Sequence, residues 1–271
     1  HLAGDVRLAG APGWGDIVQA NIRYKDSVAA ALEGADAAVN LVGILFEKGA
    51  QSFEAAQREG AINVAAACAD AGIERLVHIS AIGADAESGA DYAQTKAEAE
   101  HGVRDALPSA VILRPSIVFG PEDDFFNRFA AMAAHPISTL APFLPAIGGG
   151  TTKLQPVYAG DVADAIANAV SRPDAAGKTY ELGGPRTYTF KALYGFIGET
   201  IARKRYALPL PFFVAKPMGL TFGTLFRYVP PLSSGIFGPP PITGEQVEML
   251  KSDNVVADGA LTLADLGVEE L

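Results

Sequence analysis

The sequence predicts an α/β protein built on a doubly wound parallel sheet, with a smaller C-terminal cap region. Two observations carry this. Short apolar, β-rich runs alternate with alanine-rich helical patterns over the first two-thirds of the chain, the alternation that βαβ units produce. The strongest of these runs are continuously apolar, as expected for strands covered on both faces. The 271 residues are 49% hydrophobic with mean hydropathy +0.19, which rules out disorder as the main state.

The elements follow in order. Ile17-Val18-Gln19 reads as a short strand and Asp26 to Leu32 as a short helix. Ala37 to Val42 is a continuous apolar strand, predicted to be buried on both faces. Ser52 to Ala71 is a long alanine-rich helix with Ser52 as its N-cap. Arg75 to Ser80 is a buried strand, Tyr92 to Leu107 a helix stopped by Pro108, and Ala110 to Arg114 a further strand. After Pro115 the pattern loosens. Phe125 to Ala134 reads as helix, followed by a Pro/Gly-rich loop to Gly150. Asp161 to Ser171 is helical, with Asp161 and Asp164 as a capping pair. Thr179 to Leu182 is a strand, Phe190 to Ala202 a helix, and the rest is rich in Pro and Gly.

A doubly wound nucleotide-binding sheet opens with a strand, a glycine-rich turn and a helix. This chain opens in a loop, and Gly10, Gly13 and Gly15 precede a strand instead of following one. An upstream βαβ segment of roughly 30 or more residues is therefore expected ahead of His1. The predicted organisation is a Rossmann-like nucleotide-binding domain over 1–120, incomplete at its N-terminus, to which 154–183 returns. Residues 121–153 and 184–271 form a cap and partner-docking region.

The charge balance is 21 − 31 = −10, and no basic run is present, which argues against nucleic acid as a partner. A local nucleotide site remains open. Cys68 is the single cysteine, so no intrachain disulfide forms, and His1, His78, His101 and His135 show no metal-ligand spacing. The stretch Leu208 to Leu232 is strongly apolar, but Pro209, Pro211, Pro217, Gly219 and Gly223 break it, so it is not expected to span a bilayer as one helix. It reads equally as cap-domain core or as a patch that docks on a membrane or a hydrophobic partner.

The sharpest chemical signal is Tyr92-Ala93-Gln94-Thr95-Lys96. Tyr and Lys at i and i+4 share one helix face. A nearby ammonium lowers a phenol's pKa, and such a Tyr can exchange a proton with a substrate hydroxyl while hydride moves on a nicotinamide. Ser80 ends the preceding strand, where its hydroxyl could orient the substrate oxygen. Ser80, Tyr92 and Lys96 are thus the candidate catalytic residues. The bare spacing also occurs in many ordinary helices. Asn40-Leu41-Val42-Gly43 ends another strand, and Gly43 would let a cofactor approach closely. Pro115-Ser116-Ile117-Val118 follows a third, where a nicotinamide amide could meet backbone groups. Asn63 reads either as a backbone clamp across the site or as an ordinary polar helix residue. Glu122-Asp123-Asp124 reads as a solvated helix start, His78 as a satisfied core residue, and Cys68 as a small buried hydrophobe. Trp14 sits in a Gly/Pro loop and has no functional reading.

Taken in order, Asn40-Leu41-Val42-Gly43, Asn63-Val64, His78-Ile79-Ser80, Tyr92-x-x-x-Lys96, Leu113-Arg114-Pro115 and Pro156-Val157-Tyr158-x-x-Asp161-Val162-Ala163 resemble the extended and atypical short-chain dehydrogenase/reductases. Within them the pattern is most similar to the NAD(P)H-binding accessory subunits of respiratory complex I, the 39 kDa or alpha-9 type, in a bacterial form. The resemblance implies a bound NADP(H) or NAD(H), with NADP(H) slightly preferred. It assigns cofactor contacts to Asn40, Leu41, Val42, Gly43, Asn63, Ser80, Tyr92, Lys96, Pro115, Ser116, Ile117 and Val118. It implies complex I partners in the peripheral arm near the membrane, lipid contact through 208–232, and a place on the cytoplasmic face of a bacterial inner membrane. Subunits of this type hold their nucleotide mainly structurally, so Ser80, Tyr92 and Lys96 would be vestigial. The alternatives are a soluble NAD(P)-dependent reductase, epimerase or dehydratase acting on a nucleotide sugar or similar hydroxyl substrate, and a nucleotide sensor.

Overall fold

A computed structural model describes residues 17–47, 49–134, 143–202, 206–228 and 243–271. His1, the glycines at 10, 13 and 15, Trp14, His135 and the end of the apolar stretch at 229–232 lie outside the described residues.

Among the described residues the centre is a four-stranded parallel sheet. Its strands are β1 (Ala37–Asn40), β2 (Arg75–Ile79), β3 (Val111–Pro115) and β8 (Thr179–Leu182), in the order β1-β2-β3-β8. Leu76, Val77, Ile112 and Leu113 are almost wholly buried, so β2 and β3 are covered on both faces as their continuous apolar runs require. Helices α1 (Lys25–Ala31), α2 (Gly60–Asp70) and α3 (Asp91–Ala106) cover one face, where Val28, Ala61, Val64 and Val103 meet Leu76 and Ile112. Helix α5 (Ala159–Ser171) covers the other, packing Val162 and Ala165 against Val77 and Leu113.

Small residues let α2 lie close. Ala61, Ala65, Ala67 and Cys68 are buried in it, and burial pushes the Cys68 thiol up to about 11. The Ser52 hydroxyl accepts from the Ala55 N–H at 3.1 Å, which makes Ser52 the N-cap. The first turns of this helix, Glu54–Glu59, are π-helical, a local widening frequent at functional sites. They carry Gln57, 1% exposed, on the buried side.

Past β3 the chain forms β4 (Val118–Phe119), α4 (Asp124–Ala134), β5 (Phe143–Ile147), β6 (Lys153–Leu154) and β7 (Val157–Tyr158). After β8 come β9 (Tyr188–Thr189), α6 (Phe190–Thr200), β10 (Tyr206–Leu210), α7 (Phe212–Tyr228) and α8 (Gly244–Met249). A second core joins α4, α6 and β5 through Phe125, Phe129, Phe190 and Tyr194, whose rings meet edge to face. A smaller one joins Ile147, Ala215 and Val247.

Six expectations are corrected. Ile17-Val18-Gln19 forms no strand among the described residues, and Ile17 and Val18 lie exposed; a strand needs a neighbour to accept its ladder. The run Ala37 to Val42 is strand only to Asn40. Among the described residues Ala38 and Asn40 are buried and Val39 is exposed. Asp161 is not a cap: α5 starts two residues earlier, and the Asp161 carboxylate accepts from the Leu271 N–H at 3.0 Å. The Pro/Gly-rich stretch before Gly150 contains β5, which pairs in parallel with β10. The apolar stretch after Leu208 includes a 17-residue helix running through Pro217 and Gly219. Packing of Ala215 against Ile147 and Val247 holds that helix despite the donor that Pro217 removes. No described helix is long and apolar enough to cross a membrane. The boundary drawn at 184–271 also shifts. Leu263, Leu266 and Val268 pack in the sheet core, and Leu261 bridges Tyr180, so the last residues return to the nucleotide-domain side.

Arg114 at the end of β3 ties the layers together. Its guanidinium makes a two-pronged bond to Glu100 of α3, at 2.9 and 2.6 Å, and reaches Glu181 of β8 at 3.4 Å. Glu100 is 4% exposed, so removing it leaves a half-buried cation without its main partner. Glu100→Ala is expected to destabilise the fold by about 2 kcal/mol, below the usual cost of breaking a fully buried pair because Arg114 keeps some contact with water. Chemical denaturation of the two proteins checks this.

Candidate functional site

The site forms where β1 and β2 end and α3 begins. Parallel pairing sets Asn40 opposite His78, and His78 and Ser80, two residues apart, face the same side of the sheet. The Asn40 side-chain N–H donates to His78 Nδ1 at 3.1 Å, while Asn40 Oδ1 accepts from the Val42 N–H at 3.1 Å. With its oxygen committed to Val42, Asn40 can only donate to His78. His78 is therefore an acceptor at Nδ1 and carries its proton on Nε2. Burial, reinforced by the Lys96 charge, pushes its pKa down to about 3, so the ring stays neutral.

Lys96 reaches this cluster from α3. It is 4% exposed and its Nζ donates to the Ile79 carbonyl at 3.0 Å. Burial lowers its pKa to about 8, against a raising influence from Glu100. Gln57 enters from the π-helical turn and donates to the Thr95 hydroxyl at 3.2 Å, and that hydroxyl in turn donates to the Asp91 carbonyl at 2.7 Å. Past β1, a Cβ added at Gly43 would stand 3.4 Å from Lys96 Nζ and 3.9 Å from Gln57 Oε1. The bare backbone at Gly43 thus borders the cluster.

Three buried polar atoms in this cluster have no partner: Gln57 Oε1, His78 Nε2 and Ser80 Oγ. An acceptor, a donor and a hydroxyl beside an ammonium match a ligand rich in hydroxyl and amide groups, such as the ribose and carboxamide of a nicotinamide nucleotide. Orphaned buried polar groups are rare without such a reason. The residues present therefore fit the cofactor implied by the sequence motifs.

Tyr92 departs from expectation. Its ring packs edge to face on Phe53, with centroids 5.9 Å apart. Burial pushes its phenol up to about 12, where a neighbouring ammonium was expected to lower it. The physical reason is that Lys96 directs its charge to the Ile79 carbonyl, which leaves desolvation in control. The Tyr92 N–H donates to Glu245 of α8 at 3.2 Å, so the first turn of α3 is held by a carboxylate from the C-terminal region.

The remaining predicted residues are placed differently. Leu41 and Val42 are exposed beyond β1. Asn63 donates to the Ile22 carbonyl at 2.9 Å, which clamps the chain ahead of α1 onto α2; it does not join the Ser80–Lys96 cluster. Around Pro115 to Val118 the backbone is largely engaged within the protein. The Pro115 carbonyl accepts from Ile82, the Ser116 N–H donates to Leu182, and the Ile117 carbonyl accepts from Val157. The Ser116 hydroxyl donates to Asn254 Oδ1 at 2.6 Å, and Asn254 also donates to the Ile82 carbonyl at 2.9 Å. Asn254 thus laces the loops after β2 and β3 together. His78, read as a satisfied core residue, has one nitrogen satisfied and one not.

Sequence reasoning missed Gln57, Glu245 and Asn254. Gln57 had a readable signal. Phe53, Gln57, Gly60, Ala61, Val64 and Cys68 form one buried helical stripe, and a polar residue on such a stripe asks for a partner. Glu245 and Asn254 act across more than 130 residues and leave no local mark. Among the described residues no group of three or more His, Cys, Asp or Glu is placed to hold a metal.

Residues 3–183 match the NAD dependent epimerase/dehydratase family. The chain belongs to that family. Glu245 and Asn254, which bond to Tyr92 and to Ser116 and Ile82, lie outside the matched span. The chain is 37% identical over 247 residues to NADH dehydrogenase (ubiquinone) 1 alpha subcomplex subunit 9 of Arabidopsis thaliana, covering 90% of this chain and 59% of that protein. With the protein of the same name from Rattus norvegicus it shares 35% identity over 264 residues, 97% of this chain and 66% of that one. The chain thus spans less than two-thirds of the length of these relatives. Among solved structures, dTDP-glucose 4,6-dehydratase from Streptomyces venezuelae with NAD bound aligns with TM-score 0.56 and 22% identity, over 70% of this chain and 65% of that one. This likeness reports the fold.

Proposed function

We propose that this epimerase/dehydratase-family chain is an NAD(P)H-binding accessory subunit of respiratory complex I that holds its nucleotide mainly structurally. The observation that carries the reading is the split within the motif. The buried polar cluster of Gln57, His78, Ser80 and Lys96 suits binding, while Tyr92 is set far from a proton-exchanging pKa. A general acid or base works best with a pKa near the operating pH. The relatives named as complex I subunits, at 35–37% identity over most of this chain, support the same reading.

In this reading Lys96, Ser80 and Gln57 bond the ribose and amide groups, the Gly43 backbone lies against the nucleotide, and neutral His78 donates from Nε2. Asn40 keeps His78 in that tautomer. When bound, the nicotinamide would supply hydride chemistry, while Tyr92, the proton carrier of the motif, is held protonated by burial and Lys96 is committed to the Ile79 carbonyl. NADP(H) is favoured over NAD(H) on the family resemblance. Residues 121–153 and 184–250 make the docking region, seated in the peripheral arm near the membrane, on the cytoplasmic face of a bacterial inner membrane. Leu208, Phe213 and Leu220, all more than half exposed, supply the apolar contact with a neighbouring subunit or lipid.

A second reading, a soluble reductase, epimerase or dehydratase using Ser80, Tyr92 and Lys96, keeps one supporting observation: the Ser80 hydroxyl is buried and free of partners. Tyr92→Phe separates the two. It removes the phenolic proton and keeps the Phe53 contact. Nucleotide content and NADH:quinone turnover of the host complex are expected to stay unchanged. A fall of about 10²–10⁴-fold in turnover of a soluble hydroxyl or carbonyl substrate would instead establish the enzyme.

A further inference from the structure

Away from the nucleotide cluster, a cavity of about 380 Å³ opens between α4, α6 and the segment entering β9. That volume is within the range of small-molecule sites, roughly 300–1,000 Å³. Its walls are apolar and partly aromatic, with Phe119, Phe126, Leu193 and Phe196 among them. Phe196 is more than half exposed, although it lines a concave surface.

The polar groups of the lining decide what the cavity would accept. The Asp123 carboxylate is committed to the start of α4, accepting from the Phe126 N–H at 2.5 Å and the Gly120 N–H at 3.5 Å. Asn127 donates to the Pro121 carbonyl at 3.0 Å, and the Thr200 hydroxyl donates to the Phe196 carbonyl at 2.9 Å. Among the described residues, the Arg186 guanidinium and the Tyr188 hydroxyl have no bond or ion pair. Both line the cavity, two residues apart in the chain. Both are donors, and Arg is charged at all working pH values. The lining therefore offers apolar walls with a donor-bearing edge at Arg186 and Tyr188, while the Asp123 carboxylate is held by the backbone at the start of α4.

We infer that this cavity binds a monoanionic amphiphile, an apolar chain lying against Phe126, Leu193 and Phe196 with its carboxylate on Arg186 and Tyr188. A neutral apolar molecule would leave the guanidinium unused, and a cationic one would be repelled by it. The site is separate from the nucleotide cluster, shares no residue with it, and does not depend on the complex I assignment.

The test is calorimetric titration of the full chain, in its native complex if it has one, with dodecanoate below its micellar concentration and with dodecyltrimethylammonium as a tail-matched cation. Saturable one-to-one binding of dodecanoate is expected, with the cation binding at least tenfold more weakly. Arg186→Gln, a surface change, should weaken dodecanoate by about tenfold or more, the loss of one charge-assisted bond, and leave the cation unaffected. Thr200→Trp, at the exposed rim, should block the chain from entering. Nucleotide content should be the same in both variants. Absence of saturable dodecanoate binding, equal affinity for the cation, or unchanged affinity in Arg186→Gln would each overturn the inference.

Discussion

Lys96→Met is expected to empty the nucleotide site while the fold stays intact. The ammonium is buried, donates to the Ile79 carbonyl, and stands closest to the backbone gap at Gly43. A hydrogen bond to a charged donor is worth about 1.5–3 kcal/mol, so the variant should hold nucleotide about 10- to 100-fold more weakly. Methionine keeps most of the side-chain bulk and removes a buried charge, which limits the cost to stability. Nucleotide released by denaturing equal amounts of the purified proteins gives the comparison. A pH dependence accompanies it. In the free chain Lys96 loses its proton near pH 8, against 10.5 for an ordinary lysine. Between these values the unfolded chain binds more protons, so the stability of the nucleotide-free fold rises with pH there. Nucleotide retention moves in the opposite direction, because it uses the charged form and weakens as pH rises past about 8. Lys96→Arg, which keeps its charge throughout, should remove that fall.

Gly184→Ala is expected to be the most damaging glycine-to-alanine change among the described residues. Gly183 and Gly184 carry the chain out of β8 and across the entry to β7. The Gly184 N–H donates to the Gln155 carbonyl at 3.4 Å, and Gln155 Nε2 donates back to the Gly184 carbonyl at 2.8 Å. A Cβ at Gly184 would overlap the Pro156 carbonyl oxygen. That oxygen belongs to backbone and has no rotamer by which to yield. Relief requires β7 and β8 to separate, breaking the lacing of the sheet's carboxyl edge. A loss of about 3 kcal/mol or more is expected, at the upper end of overpacking effects. Gly149→Ala is the control. Gly149 has φ +77° but no atom within 4 Å of an added Cβ, so only the left-handed backbone penalty applies, about 1–2 kcal/mol. Denaturant midpoints of the two variants rank them.

Much of this was legible because the signals were local. Short β-rich runs marked β2, β3 and β8, the Ser52 cap opened the long helix, and the Tyr92–Lys96 spacing lay on α3. The end of the first strand was not legible. Ala37 to Val42 stays apolar past Asn40, while its pairing with β2 stops there, and only the partner strand decides that. The Tyr92 pKa followed the same logic. The spacing predicted proximity to an ammonium, but the direction in which Lys96 points depends on the Ile79 carbonyl of another element. Pro145 and Pro209 disguised β5 and β10, whose mutual pairing confines them to a two-stranded sheet where missing donors are tolerated. Asn254 and Glu245 complete the site from the far end of the chain, through contacts that no periodicity encodes.

The account's central claim is a nucleotide held structurally within complex I. It is tested most directly by tagging this chain in its native host, purifying what it binds from mild detergent, and measuring nicotinamide nucleotide per copy of the chain alongside NADH:quinone activity. The account predicts about one nucleotide per chain, co-purifying with an active complex, and loss of that nucleotide in Lys96→Met. Recovery of the tagged chain free of complex I subunits, with nucleotide that is oxidised and reduced by a soluble substrate, would contradict it.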